Sequence, residues 1–418
     1  MNSDTGFLNR HVVPALTAVS DNIYLAAIRA GMVSVVPLTI IGGLFLVIAY
    51  LPVAGWEDRI KDFLPLLKAP VTATFGLLSV FVSFAIAYDL GKALKQEAVV
   101  SASMATLIFL LVQLDIKPDD QVLVMDNLGS KGLFTAVLIA LITVRVQKFF
   151  TDQRLVIRLP ESVPPIVYES FLSLTPMIFL VLVFWLIRYV AGVDINAWVQ
   201  VAFKPLVFAL NTLPGILVYA LLVAVLWSVG INGDNAMDAI VAPIFLQYLA
   251  ENVTAMTQGQ PLPNITAYGF FTTFVNVGGT GATIALALVM LNSKEPGFRK
   301  ISRLSLPTQI FQINEPIFFG FPIVLNPILM VPYVLNALIL TAATYVLMDL
   351  HILQRPFVNV PWTTPPIIGH YLVTGGDWKS AVWGALSIPI AMAVYYPFAK
   401  VAERRRLAAE ASGHATGA

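Results

Sequence analysis

The sequence predicts an all-α integral membrane protein with about ten transmembrane helices, re-entrant hairpins and interfacial amphipathic helices. Three observations lead there. Of the 418 residues 58% are hydrophobic and only 12% charged, with a mean hydropathy of +0.80, whereas a soluble chain carries about twice that charged fraction. Apolar runs repeatedly reach the ~20 residues that take a helix across a bilayer. The basic residues cluster in short segments between those runs, where they report topology rather than a partner. The net charge of +1 gives no reason to expect nucleic acid. Because the sequence has no cysteine, it holds no disulfide, thiolate metal site or cysteine nucleophile. No Walker loop occurs and the four histidines lack ligand spacing, so no metal or cofactor is expected.

Taken in order, residues 1–27 are polar and predict no cleavable signal peptide. Arg10, His11 and Arg29 precede the first run, residues 30–53, and assign that end to the cytoplasm. Runs 71–90 and 99–114 follow, the first ending at Lys92 and Lys95, the second at Asp115, Asp119 and Asp120. The fourth, 133–146, returns to Arg145, Lys148, Arg154 and Arg158, a second cytoplasmic loop. Pro160, Pro164 and Pro165 interrupt helix before the fifth run, 166–190. Over residues 193–213, Asn196, Gln200, Lys204 and Asn211 stand among aromatic and aliphatic residues. That pattern fits either an interfacial amphipathic helix dividing the chain or a long loop packed on the protein.

The sixth run, 214–229, ends in Gly230-Ile231-Asn232-Gly233-Asp234-Asn235, and the moderately apolar 236–250, with Asp238 and Gln247, reads as a broken or hairpin segment. Run 268–291 contains Gly278, Gly279, Thr280 and Gly281, small residues that permit close approach of a helix or ligand. Lys294, Arg299, Lys300 and Arg303 mark another cytoplasmic loop, and 328–347 crosses outward. Residues 359–378 are broken by Pro361, Pro365 and Pro366. The last run, 381–398, ends at Lys400, Arg404, Arg405 and Arg406. An even number of crossings leaves both termini cytoplasmic.

Residues 314–327, N-E-P-I-F-F-G-F-P-I-V-L-N-P, place Glu315 and three prolines in an apolar region. Irregular backbone of this kind belongs inside protein or beside a watery cavity, and an acidic group at membrane depth costs roughly 3 kcal/mol or more unless it is paired, protonated or bound. Glu315 is therefore either a site residue or the cap of a short helix with Pro316 in its first turn. Asn232, Asn235, Asn314, Thr363 and Thr364 add donors and acceptors, and Trp362 adds an apolar face, the equipment of a carbohydrate pocket. Nucleosides and amino acids use similar groups. Trp362 could equally anchor at the interface. Asp234 is either a further contact, a helix cap or, with Asp238, part of a proton-linked pair with Glu315.

Three stretches also carry a resemblance: N-E-P-I-F-F-G-F-P with L-N-P, V-P-W-T-T-P-P with G-G-D-W, and L-P-E-S-V-P-P at 159–165. Together with Arg29-Ala30-Gly31-Met32 and Pro37-Leu38 they resemble the membrane permease component (EIIC) of bacterial phosphotransferase systems of the lactose, cellobiose and diacetylchitobiose type, over nearly the whole chain. The resemblance implies a homodimer in the inner membrane with an elevator-type displacement. Residues 1–192 would form the dimerisation domain, 193–213 the connector, 214–403 the substrate-binding transport domain and 404–418 a cytoplasmic tail. It implies a sugar substrate, a β-linked disaccharide, with Glu315 beside the hydroxyl that receives phosphate and Trp362 stacked on the ring. Asn232, Asp234, Asn314 and Thr363 complete the expected contacts. The phosphate would come from a cysteine of a separate EIIB, itself charged by EIIA. One departure stands out: where the family has a Gly-Ile-His-Gly type of sequence, this chain has Gly230-Ile231-Asn232-Gly233. Asparagine can hydrogen-bond a hydroxyl but cannot exchange a proton near neutral pH. That leaves an uncoupled or proton-coupled transporter, or a sugar sensor, as alternatives.

Overall fold

The computed structural model describes residues 22–51, 55–117, 120–157, 165–321, 323–324 and 326–415. Arg10, His11 and the motif segment 159–164 lie outside them. α1 (Ile23–Ala49) is followed by α2 (Trp56–Ile60), then by α3 (Leu64–Thr74) and α4 (Leu78–Ala93) joined through a 3₁₀ turn. α5 (Ala98–Gln113) starts at Glu97, whose carboxylate accepts the Val100 N–H and satisfies a first-turn donor. An antiparallel hairpin, β1 (Leu114–Lys117) and β2 (Asp120–Leu123), pairs Leu114 with Leu123. α6 (Leu133–Asp152) and α7 (Pro165–Trp185) come next. The segment expected to connect the two halves forms a helix, α8 (Ile195–Leu210), with Trp198, Val201 and Phe208 exposed. α9 (Leu213–Ser228) begins at Thr212, whose hydroxyl accepts the Gly215 N–H, with Pro214 in the first turn, where a missing N–H costs nothing.

α10 (Gly233–Thr257) corrects the reading of 236–250 as broken: it is one helix of 25 residues. Its modest hydropathy has a packing cause, since Ala242, Ile244, Leu246, Tyr248 and Leu249 are buried in protein rather than presented outward. Run 268–291 forms no single helix. Gly269, a π turn over Phe270–Val275 and then Gly278, Gly279 and Gly281, all four glycines with positive φ, precede α11 (Thr283–Met290). α12 (Pro296–Gln309), α13 (Glu315–Gly320), α14 (Pro327–Asp349), α15 (Ile368–Val373) and α16 (Trp378–Ala415) complete the chain. Among the described residues seven helical segments are long and apolar enough to cross a membrane, or eight if the bent pair α8 and α9 counts as one span, and α5 is a shorter apolar helix.

By backbone packing the chain forms two units. Residues 22–42, 68–207 and 237–250 make the first. There α4, α5 and α6 pack closely through small buried residues, Ser79, Ser83, Ala102, Ala105, Ala136 and Ala140. Gln113 of α5 and Asn196 of α8, both buried, exchange amide hydrogen bonds of 2.6 and 3.4 Å and leave neither amide orphaned. Residues 43–67, 208–236 and 251–415 make the second unit, in which α14 packs on α9 and α16, and α11 packs on α12 and α16. Asn252, fully buried, donates to the carbonyls of Asn264 and Pro356 at 2.8 and 2.7 Å and accepts the Asn264 N–H at 2.9 Å. At the far end of α16, Glu403 accepts from Ser293 Oγ and the Lys294 N–H, both at 2.5 Å, and from Lys400 at 2.8 Å.

Candidate functional site

Asn232, Asp234, Asn314, Glu315, Trp362 and Thr363 all fall in the second unit, whereas Asp238 falls in the first. Asn232 is the N-cap of α10: its Oδ1 accepts the Asn235 N–H at 2.9 Å, and its amide N–H groups have no partner among the described residues. Asp234 is therefore not the cap of this helix. Its carboxylate instead accepts three side chains, Trp227 Nε1 at 2.8 Å, Thr280 Oγ1 at 2.7 Å and Asn276 Nδ2 at 3.2 Å. Charge-assisted bonds of this kind are the strong ones, and they fix the glycine turn against the start of α10.

That turn is dictated by its residues. Gly278 and Gly279 have φ of 71° and 104°, and a Cβ on Gly279 would lie 2.3 Å from the Cβ of Asn314, so no other residue lets these two strands of chain touch. Asn314, 4% exposed, donates to the Thr280 carbonyl at 3.2 Å, and its Oδ1 has no partner among the described residues. A continuous hydrogen-bonded path thus runs from Asp234 through Thr280 to Asn314.

Glu315 opens α13 with Pro316 beside it, but the N-cap is Asn314, which makes no side-chain cap bond. The capping explanation for Glu315 is thereby removed. Its side chain is exposed, with no protein partner among the described residues. On the 361–367 turn, Trp362 is 56% exposed and Thr363 is half-buried. Thr364 Oγ1 accounts for itself locally by donating to the Pro361 carbonyl at 2.6 Å. The turn ends at Ile367, held at φ 72° by donation of its N–H to Nδ1 of His370 at 3.3 Å. Burial pushes the His370 imidazole down to about 3, so it stays a neutral acceptor at that nitrogen.

One residue without a signal in the sequence joins these parts. Gln312, 6% exposed, accepts both the Gly278 and Gly279 N–H groups and donates to the Thr364 carbonyl. No local pattern could have found it, because its partners stand 33 to 52 residues away. Chemically the assembly offers a free carboxylate, free amide donors and acceptors and an uncovered indole. That is a set suited to a neutral polyhydroxylated ligand. Among the described residues no group of three or more His, Asp or Glu side chains could hold a metal ion.

The chain matches the family described as "Phosphotransferase system, EIIC" over residues 29–337. It is 34% identical to the PTS system cellobiose-specific EIIC component of Geobacillus stearothermophilus, over 96% of this chain and 95% of the relative. The lichenan permease IIC component of Bacillus subtilis (strain 168) is 33% identical over 98% of this chain and 96% of its own. Among solved structures, the transporter ChbC, the IIC component of the N,N'-diacetylchitobiose-specific phosphotransferase system, matches with a TM-score of 0.90 at 33% identity. The match covers 97% of this chain and 99% of ChbC.

Proposed function

Because the chain belongs to the phosphotransferase system EIIC family, we propose that this multi-pass sugar permease binds a β-linked disaccharide such as cellobiose or diacetylchitobiose. It moves the sugar across the bacterial inner membrane and presents it to a separate EIIB for phosphorylation. EIIA charges that EIIB, and the permease works as a homodimer. The observation that carries the reading is the braced path from Asp234 through Thr280 to Asn314, ending beside the unpartnered Glu315 carboxylate. Bracing matters because a group must be held within a fraction of an ångström to act on a hydroxyl. In the proposed step Glu315 takes the proton of the attacking sugar hydroxyl while the oxygen–phosphorus bond forms and the phosphorus–sulfur bond to the EIIB cysteine breaks. Trp362 covers the apolar face of a sugar ring, and Asn232, Asn314 and Thr363 address its hydroxyls.

A second reading, transport with little phosphorylation, is favoured by one feature: Asn232 stands at the position of the family's histidine and its oxygen is committed to capping α10. Misplacing the acceptor by about an ångström can cost on the order of 100-fold in rate. Uptake of radiolabelled cellobiose and diacetylchitobiose into vesicles, with and without phosphorylated EIIB of a related system, tests both. Sugar phosphate formed only with the phosphorylated EIIB supports the first reading. Binding and flux without it, with phosphorylation appearing in Asn232→His, supports the second. If no β-linked disaccharide binds, both fall.

A further inference from the structure

Gln312 is the residue on which three segments of the candidate site converge. Its backbone is left-handed at φ 67°, a conformation that glutamine adopts only where its surroundings impose it. The side chain is buried, and both ends of its amide are used. Oε1 accepts the N–H groups of Gly278 at 2.6 Å and Gly279 at 3.1 Å, and Nε2 donates to the Thr364 carbonyl at 3.4 Å. Two successive left-handed glycines point their N–H groups into one concavity, which calls for an acceptor; the Thr364 carbonyl calls for a donor. Only a side chain with an acceptor and a donor at its tip meets both demands, and a carboxylate would meet the first while repelling the second.

The consequence is geometric. The glycine turn is packed on Asn314, next to Glu315, and Thr364 follows Trp362 and Thr363 in its turn. We infer that Gln312 is a positioning residue that sets the spacing between the Asn314–Glu315 edge and the Trp362–Thr363 edge, and so tunes sugar affinity without touching the sugar. This inference rests on the sugar-binding reading above. It differs from a purely structural role in one measurable way. A residue acting through the position of Trp362 loses its influence once the indole is gone, whereas a general contributor to stability acts equally in both backgrounds.

The test is a double-mutant cycle read by titration calorimetry on the full-length protein with cellobiose and diacetylchitobiose. Gln312→Glu keeps the acceptor for the glycine turn and replaces the bond to Thr364 by repulsion. It is expected to weaken binding at least about tenfold in the parent and markedly less in Trp362→Ala. Gln312→Asn, which keeps the amide but shortens its reach, serves in the same cycle if the glutamate variant is not recovered folded. Equal loss in both backgrounds, or no loss, overturns the positioning role while leaving the sugar-binding reading intact. A parent protein that binds no β-linked disaccharide overturns the functional reading, and this inference with it.

Discussion

An indole 56% exposed at Trp362 leaves an apolar face uncovered beside polar neighbours, the face on which the proposed sugar would stack. Trp362→Ala should weaken sugar binding by roughly 1 to 3 kcal/mol. Calorimetry decides it: unchanged affinity would make the ring an interface anchor. His370 gives a second prediction at this scale, on stability. Its ring is fully buried, packed edge-on against Phe274 with ring centroids 4.6 Å apart, and its Nε2 has no hydrogen-bond partner among the described residues. Folding holds its pKa at about 3, below the ordinary value of 6.5, so the folded state refuses a proton that the unfolded chain accepts. The sign follows: stability is full above pH 6.5 and falls as the pH drops from 6.5 toward 3. The thermal midpoint of the parent in detergent should therefore decline more steeply over that window than that of His370→Asn. Equal slopes would remove His370 from the acid response. Glu315 and Trp362 are conspicuous in sequence because each breaks an apolar or proline-marked stretch. Gln312 and His370 are not, because distant backbone partners give Gln312 its role and burial in the fold gives His370 its own.

At the scale of elements, apolar run length made several of the apolar helices legible. The runs beginning near residues 99, 133 and 214 correspond to α5, α6 and α9 within a few positions. It failed at α10, where a helix surrounded by protein needs no uniformly apolar surface, and at 268–291, where composition cannot distinguish a helix from a glycine-braced turn. The loop that leads into the second of these segments is held by polar contacts. Asn252 on α10 satisfies one N–H and two carbonyls of the loops at Asn264 and Pro356. Asn252→Leu keeps the volume and orphans all three buried groups, each at about 1 to 3 kcal/mol. The expected outcome is a loss of several kcal/mol, seen as a large drop in thermal midpoint. A midpoint within a degree or two of the parent would mean that water or a rearranged loop replaces the amide.

For the whole molecule, the two packed units each recruit three separate stretches of chain, a level of organisation that emerges from contacts between distant residues and leaves no local mark. Charge, by contrast, is legible along the chain. Each Lys or Arg near an anionic inner leaflet is favoured there by about 1 kcal/mol, so a loop with three or four of them biases its own placement by several. Lys95, Gln153, Lys300 and Arg405 are exposed positions in or beside the four basic segments, whereas Gln121 on the β hairpin and Gln354 after α14 lie at the ends that carry Asp115, Asp120 and Asp349. The absence of cysteine lets a single thiol be placed at each without background. An impermeant maleimide applied to intact cells should label Gln121→Cys and Gln354→Cys. It should label Lys95→Cys, Gln153→Cys, Lys300→Cys and Arg405→Cys only after the membrane is opened. External labelling of any of those four would overturn the cytoplasmic assignment of its loop. For Arg405→Cys it would also overturn the cytoplasmic C-terminus, because α16 runs unbroken from Trp378 through that position.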